Sequence, residues 1–238
     1  MTGTFYALLA ALGNVIGAAA VLQGRRRGLD VIATFVAFGA GFMLAVTLLE
    51  VVPEALARGG VAPAYILAGY LAVHLAQHVF VPHFHFGEET HSVDPAAAVS
   101  ALLGLLLHTF FDGVAIASGF LVSPQLGMVL FAAVLLHKLP EGVTMASLML
   151  AAGQSRGRAL GAAAALGAAT VLGLLLTYWA APLARHGLAI SAGVTLYVAA
   201  SNLVPEFQAK RGWRMPIAFF GGAAGFLATR LLLEWPAR

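Results

Sequence analysis

LLLHTFFDGVAIAS at residues 105–118 and VLLHKLPEGVTMAS at residues 134–147 are two versions of one pattern. Aligned, both carry a histidine, a carboxylate four residues later, a following Gly-Val and a closing Ala-Ser. His108 and Asp112 correspond to His137 and Glu141. In a helix, residues at i and i+4 lie about 6 Å apart along the axis and roughly 40° apart around it, so each pair shares a face. Each pair also sits in an apolar stretch long enough to cross a bilayer. Two such helices facing each other bring two imidazoles and two carboxylates to one point, an arrangement suited to a divalent metal ion.

Working outward, the 238 residues are 61% hydrophobic and only 10% charged, with a mean hydropathy of +0.90. Soluble domains run near one-quarter charged, so this composition belongs to a polytopic membrane protein whose partner is the lipid bilayer. The net charge of +3 reflects a small Lys/Arg excess. No basic run is interleaved with aromatics, which argues against nucleic acid. With no cysteine in the chain, a metal must be held by nitrogen and oxygen.

Apolar stretches of bilayer length are expected near 4–22, 31–52, 63–81, 97–121, 126–150, 158–181, 188–208 and 215–235, giving an all-α protein of eight transmembrane helices in a single transmembrane domain, 1–238. The stretch Thr4–Leu22 lacks a charged segment ahead of it and is followed by Arg25, Arg26 and Arg27. It reads as a retained span rather than a signal peptide. Arg25, Arg26, Arg27, Arg156, Arg158, Lys210, Arg211 and Arg214 fall on one side of this arrangement, and Arg58, Arg185, Arg230 and Arg238 on the other. The positive-inside rule then places both termini outside and the 82–96 loop in the cytoplasm. Small residues spaced at i,i+4, Gly13/Gly17 and Gly221/Gly225, are candidates for close helix contact.

A second echo points to an inverted repeat. Glu50-Val51-Val52-Pro53-Glu54 in span two resembles Asn202-Leu203-Val204-Pro205-Glu206 in span seven. Spans two and seven run in opposite directions, as do four and five, and proline-interrupted helices of this kind meet at the midplane of many secondary transporters.

His108, Asp112, His137, Lys138 and Glu141 all fall deep within their spans. Facing lipid, Asp112, Lys138 and Glu141 would together cost on the order of 8–10 kcal/mol, so they must turn inward to partners. Structural salt bridging is the competing explanation, but a private ion pair does not account for two matched His/carboxylate pairs. Pro140 removes an N–H from span five and frees the carbonyl of Leu136 close to His137 and Glu141.

The pair H-T-F-F-D-G and H-K-L-P-E-G resembles the signature of the ZIP family of divalent metal transporters, in particular its prokaryotic GufA-like members. The resemblance extends over the whole chain. It implies a 3+2+3 bundle, with spans one to three related to spans six to eight, and transport of zinc or a similar divalent ion into the cytoplasm. It makes His108, Asp112, His137 and Glu141 the metal site. Many members hold a second metal beside the first, using the residues after the two histidines and an acidic residue in span six. Here those residues are Thr109 and Lys138, and span six has no carboxylate. A protonated lysine donates only and repels a cation. One metal site is therefore expected, with Lys138 in the second position, bridging to Asp112 or Glu141.

Zinc suits two imidazoles and two carboxylates, and Fe²⁺, Mn²⁺, Co²⁺ or Cd²⁺ are compatible with them. Glu50 and Glu54 toward one side and Asn202 and Glu206 toward the other are expected to line the path, with Asn14, Ser118 and Ser147 as lesser contributors. His74 and His78 share a face of span three, and His83, His85 and His91 follow in a loop without Lys or Arg, a candidate cytoplasmic metal acceptor. Alternating access would carry the ion through. An intramembrane metal-dependent hydrolase is the rival reading; it needs an open coordination position and a base, and no HExxH motif occurs. A metal sensor without transport is a further alternative. A homodimer is compatible with the sequence.

Overall fold

A computed structural model describes residues 2–23, 29–80, 95–205 and 212–234, and all regular structure among them is helical. The helices are α1 (Thr2–Leu22), α2 (Leu29–Val46), α3 (Val52–Ala57), α4 (Ala62–Phe80), α5 (Pro95–Val122), α6 (Pro124–Ala151), α7 (Arg156–Trp179), α8 (Ala181–Tyr197) and α9 (Arg214–Glu234). Among the described residues, six helical stretches are long and apolar enough to cross a membrane: Gly3–Leu22, Ala37–Ala57, Ala101–Val122, Pro124–Ala151, Arg156–Trp179 and Ala181–Ser201. Within α4, Ala62–Ala76 is apolar but shorter.

Local chemistry sets the ends of the central helices. Ser123 is the sole residue between α5 and α6; its hydroxyl accepts from the Leu126 N–H at 3.1 Å, and Pro124 fits the first turn, where no N–H is needed. Ser155 caps α7 in the same way, accepting from Arg158 N at 3.3 Å. Gly153, with φ of +73°, supplies the left-handed backbone that lets the chain turn after α6. One boundary departs from the sequence expectation. The seventh span was expected from 188, but α8 begins at Ala181, because Ala180 is extended and Pro182 suits a helical first turn. Arg185 and His186 thus lie in a helix rather than a loop.

Two helices carry a segment of wider winding at matched places. α2 passes through a π-helical turn, Thr47–Val51, into α3, and α8 passes into another, Val198–Leu203. Each ends two residues before a proline, Pro53 or Pro205. A proline cannot donate to the carbonyl four residues back, so Leu49 and Ser201 lose that partner and the ladder can widen. On the first segment a long contact from Arg230 Nη1, 3.5 Å, reaches the Leu49 carbonyl.

The α5–α6 hairpin forms the centre. α1 packs on α6 and α7, α7 on α5, α2 on α9 and α6, and α8 on α4 and α5. Four of these crossings are close because glycines face backbone. A Cβ on Gly142 of α6 would collide with the Asn14 carbonyl of α1, and one on Gly17 of α1 with the Leu139 carbonyl of α6. The same reciprocity holds for Gly113 and Gly173 between α5 and α7, Gly41 and Gly222 between α2 and α9, and Gly69 and Gly193 between α4 and α8. Such approach favours Cα–H···O contacts and tight van der Waals packing in lipid. Of the small-residue pairs expected from sequence, Gly13/Gly17 lies on α6, whereas Gly221/Gly225 frames the true contact at Gly222.

Leu12, Leu71, Phe220 and Leu231 are exposed on the outside of the bundle, as a lipid-facing surface requires. Trp179 and Trp213 project at helix ends, where amphipathic indoles meet the headgroup layer.

Candidate metal centre

The hairpin explains why two sequence motifs become one site. His108 lies 15 residues before Ser123 and His137 lies 14 after it, so at 1.5 Å per residue both stand about 21–22 Å from the hairpin tip. That depth is the midpoint of each 28-residue helix. Because the helices are antiparallel, the i+4 carboxylates fall on opposite sides of the histidine level: Asp112 toward the tip, Glu141 away from it. One ligand atom from each of the four residues lies within 4.8 Å of all the others, and all four side chains are buried.

Asp112 Oδ2 is the hub. It lies 2.7 Å from Lys138 Nζ, 3.2 Å from His137 Nε2 and 3.4 Å from His108 Nε2. His137 Nδ1 donates to the Ala133 carbonyl at 2.9 Å, one turn back in its own helix. In the neutral ring this bond fixes the tautomer and puts the lone pair on Nε2, as metal-ligating histidines require. Nε2 then faces the Asp112 carboxylate oxygen, lone pair toward lone pair, an arrangement that a cation between them would satisfy. Two further acceptor or donor positions, His108 Nδ1 and Glu141 Oε1, are buried without a hydrogen-bond partner. Leaving such atoms unpaired costs about 1–3 kcal/mol each, more when charged. A cation satisfies the carboxylate oxygen at little structural cost.

Lys138 is fully buried and donates to both carboxylates, 2.7 Å to Asp112 Oδ2 and 2.9 Å to Glu141 Oε2. The ammonium thus lies beside the four candidate ligands. Thr109, the other residue expected near a second site, turns its hydroxyl to its own helix, donating to the Leu106 carbonyl at 3.1 Å. Among the described residues, the cluster of two histidines and two carboxylates forms where the two motifs meet.

None of the remaining expected residues is among the four that form this cluster. Glu50 sits in the first π segment with Arg230 Nη1 3.6 Å from its Oε2, and Glu54 pairs with Arg58 at 3.0 Å; all four are partly exposed. The backbone of Asn202 lies in the second π segment, while Glu206 is outside the described residues. His74 is exposed, edge-on to Tyr197 with ring centres 5.6 Å apart. His78 belongs to α4, and His83, His85 and His91 are outside the described residues. Ser147 faces outward, but Ser118 and Asn14 are buried with no partner for their side-chain polar atoms. Thr47, also buried and unpartnered, was not singled out by sequence, and Arg230 was used there only to orient the chain, not as a neighbour of Glu50. Their only sequence signals are a hydroxyl just before Glu50 and an arginine inside an apolar helix.

The family model described as ZIP Zinc transporter matches residues 82–232. The chain is 30% identical over 155 residues to zinc transporter ZIP9-A of Xenopus laevis, covering 59% of this chain and 51% of that protein. It is likewise 30% identical over 155 residues to zinc transporter ZIP9 of Micropogonias undulatus, covering 59% and 50%. With zinc transporter ZIP9-B of Xenopus laevis the identity is 27% over 154 residues, covering 59% and 51%. The chain spans about half the length of the curated relatives it matches.

Proposed function

Because this chain belongs to the ZIP zinc transporter family, we propose that it carries a divalent metal ion, zinc in the first place, into the cytoplasm through the site formed by His108, Asp112, His137 and Glu141. The observation that carries the proposal is the convergence of two imidazoles and two carboxylates within 4.8 Å of one another, at the middle of two apolar helices. Such a donor set binds zinc without thiolates. Its position equidistant from both ends of the hairpin suits a substrate that is reached first from one side and then from the other.

The bundle is an eight-span, 3+2+3 inverted repeat forming one transport domain. Supporting this are the matched π segments before Pro53 and Pro205 and the paired glycine crossings. Exchanging spans one to three with six to eight and α5 with α6 turns the α1–α6 crossing into α7–α5, and the α2–α9 crossing into α8–α4. Two such halves that rock about the central hairpin would expose the site alternately. In this reading both termini are extracytoplasmic. Glu50 and Glu54 stand at the outer mouth, and Asn202 and Glu206 at the inner one. His74, His78, His83, His85 and His91 form an acceptor on the cytoplasmic side. One metal binds per protomer, since Lys138 holds the neighbouring position.

Uptake of radioactive zinc by proteoliposomes tests the site. His137→Ala and Glu141→Ala should each abolish uptake while the protein remains folded by size-exclusion chromatography. Undiminished uptake in either variant overturns the assignment, and competition by Cd²⁺, Fe²⁺, Mn²⁺ and Co²⁺ ranks the ions.

A further inference from the structure

Helix α1 supplies a buried group that the metal site does not use. Asn14 is fully buried, and neither its amide oxygen nor its amide nitrogen has a hydrogen-bond partner. A buried amide left in that state is costly, and one in a native protein calls for an explanation. Its surroundings are specific. The Asn14 backbone rests on Gly142, the residue after Glu141, and a methyl on Gly13 would lie 3.0 Å from Lys138 Cβ. Asn14 and Lys138 therefore leave adjoining points of the same helix crossing.

Lys138 poses a complementary problem. With its ammonium on Asp112 and Glu141, the site carries two negative charges and one positive, a net charge of −1. When a divalent ion takes those oxygens the net charge becomes +1. Without the lysine the same two states would carry −2 and 0. Burying charge costs energy that grows steeply with net charge in a low-dielectric interior. A site lacking the lysine would thus be strongly biased toward the loaded state and slow to release its ion. With it, the empty and loaded states carry charges of equal magnitude. The loaded state nevertheless needs somewhere for the ammonium to go, because a metal and an ammonium cannot share the same carboxylate lone pairs. A neutral acceptor one helix away meets that need.

From this geometry we infer that Lys138 is a tethered counter-cation that exchanges with the transported metal, leaving Asp112 and Glu141 for the amide oxygen of Asn14 when the ion binds and returning when it leaves. The inference rests on the metal-site reading above. In it, Lys138 and Asn14 are positioning residues rather than ligands. They set how tightly the ion is held and how readily the empty carrier re-forms.

Equilibrium binding of radioactive zinc to the purified full chain in detergent tests it, in the wild type, Lys138→Met, Asn14→Leu and the double variant. Lys138→Met should bind zinc at least ten-fold tighter, while its maximal uptake rate in proteoliposomes falls. Asn14→Leu should bind three- to ten-fold weaker when Lys138 is present and show no such loss in the Lys138→Met background. Unchanged or weaker binding by Lys138→Met, or an equal Asn14→Leu loss in both backgrounds, overturns the inference. If Lys138→Met does not fold without metal, Lys138→Gln provides the same comparison with a neutral side chain. His137→Ala separates the two levels of the argument: zinc binding as tight as wild type in that variant removes the site reading itself, whatever Lys138 does.

Discussion

Gly142→Ala should perturb the proposed metal centre without replacing any of its four candidate ligands, and its effect can be worked from the crossing of α1 and α6. The added methyl would collide with the backbone carbonyl and α-carbon of Asn14. Both are backbone atoms, so no side chain can rotate away. The helices must separate, or α6 must rotate and carry Glu141 with it. Overpacking of a rigid interior costs typically about 1–3 kcal/mol, and a backbone obstacle belongs at the upper end. For a chain of this size that corresponds to a fall in unfolding temperature of roughly 2–12 °C. Because Glu141 precedes the glycine and Lys138 lies one turn before it, zinc affinity should fall as well. Gly161→Ala in α7 is the control: nothing lies within 4 Å of its added methyl, and removing a helical glycine should stabilise by about 0.5–1 kcal/mol. Thermal unfolding in detergent and zinc binding read both variants. A Gly142→Ala protein that unfolds at the wild-type temperature and binds zinc normally would refute the close crossing and the coupling drawn from it.

Other outcomes follow from the same geometry. Gly39→Cys paired with Leu136→Cys should form a disulfide on mild oxidation, seen as loss of maleimide labelling, because a Cβ on Gly39 lies 3.7 Å from Leu136 Cβ and disulfides average about 3.8 Å; the chain has no other cysteine to compete. Asp112→Asn removes the carboxylate shared by both histidines and Lys138; breaking buried pairs of this kind costs about 3–5 kcal/mol, and zinc binding measured by titration should be lost. Zinc is held by unprotonated imidazoles and ionised carboxylates, so protons compete with it and apparent affinity measured by titration should weaken as the medium is acidified. Arg230→Gln loosens a partly exposed clamp on Glu50, and its effect on unfolding should stay below about 1 kcal/mol.

The reversal of the chain at the α5–α6 hairpin gives the proposed metal centre its character. Asp112 and Glu141 stand on opposite sides of the histidine level because the chain reverses at Ser123, so an ion approached from either face meets one carboxylate and two imidazoles. The π segments before Pro53 and Pro205 are a matched pair, each a helix whose backbone ladder is opened two residues ahead of a proline.

Residue spacing alone determined that the chain is helical, that it is apolar enough for a membrane, and that His108, Asp112, His137 and Glu141 belong together. These are properties of periodicity and charge scarcity, which act along the chain and need no partner. Lys138 as a cation beside the candidate ligands followed from the same local logic, since it neighbours His137. The tertiary structure decided what depends on contact between distant segments. It carries Lys138 to Asp112 on the other helix as well as to Glu141, puts Gly222 rather than Gly221 or Gly225 in the close crossing, and points Ser147 outward. It also buries Asn14 beside α6, 124 residues away from Lys138 in sequence. Which face of a uniformly apolar helix turns inward is invisible to a hydropathy pattern, because lipid and protein interior are equally apolar and only the packing of small residues separates them.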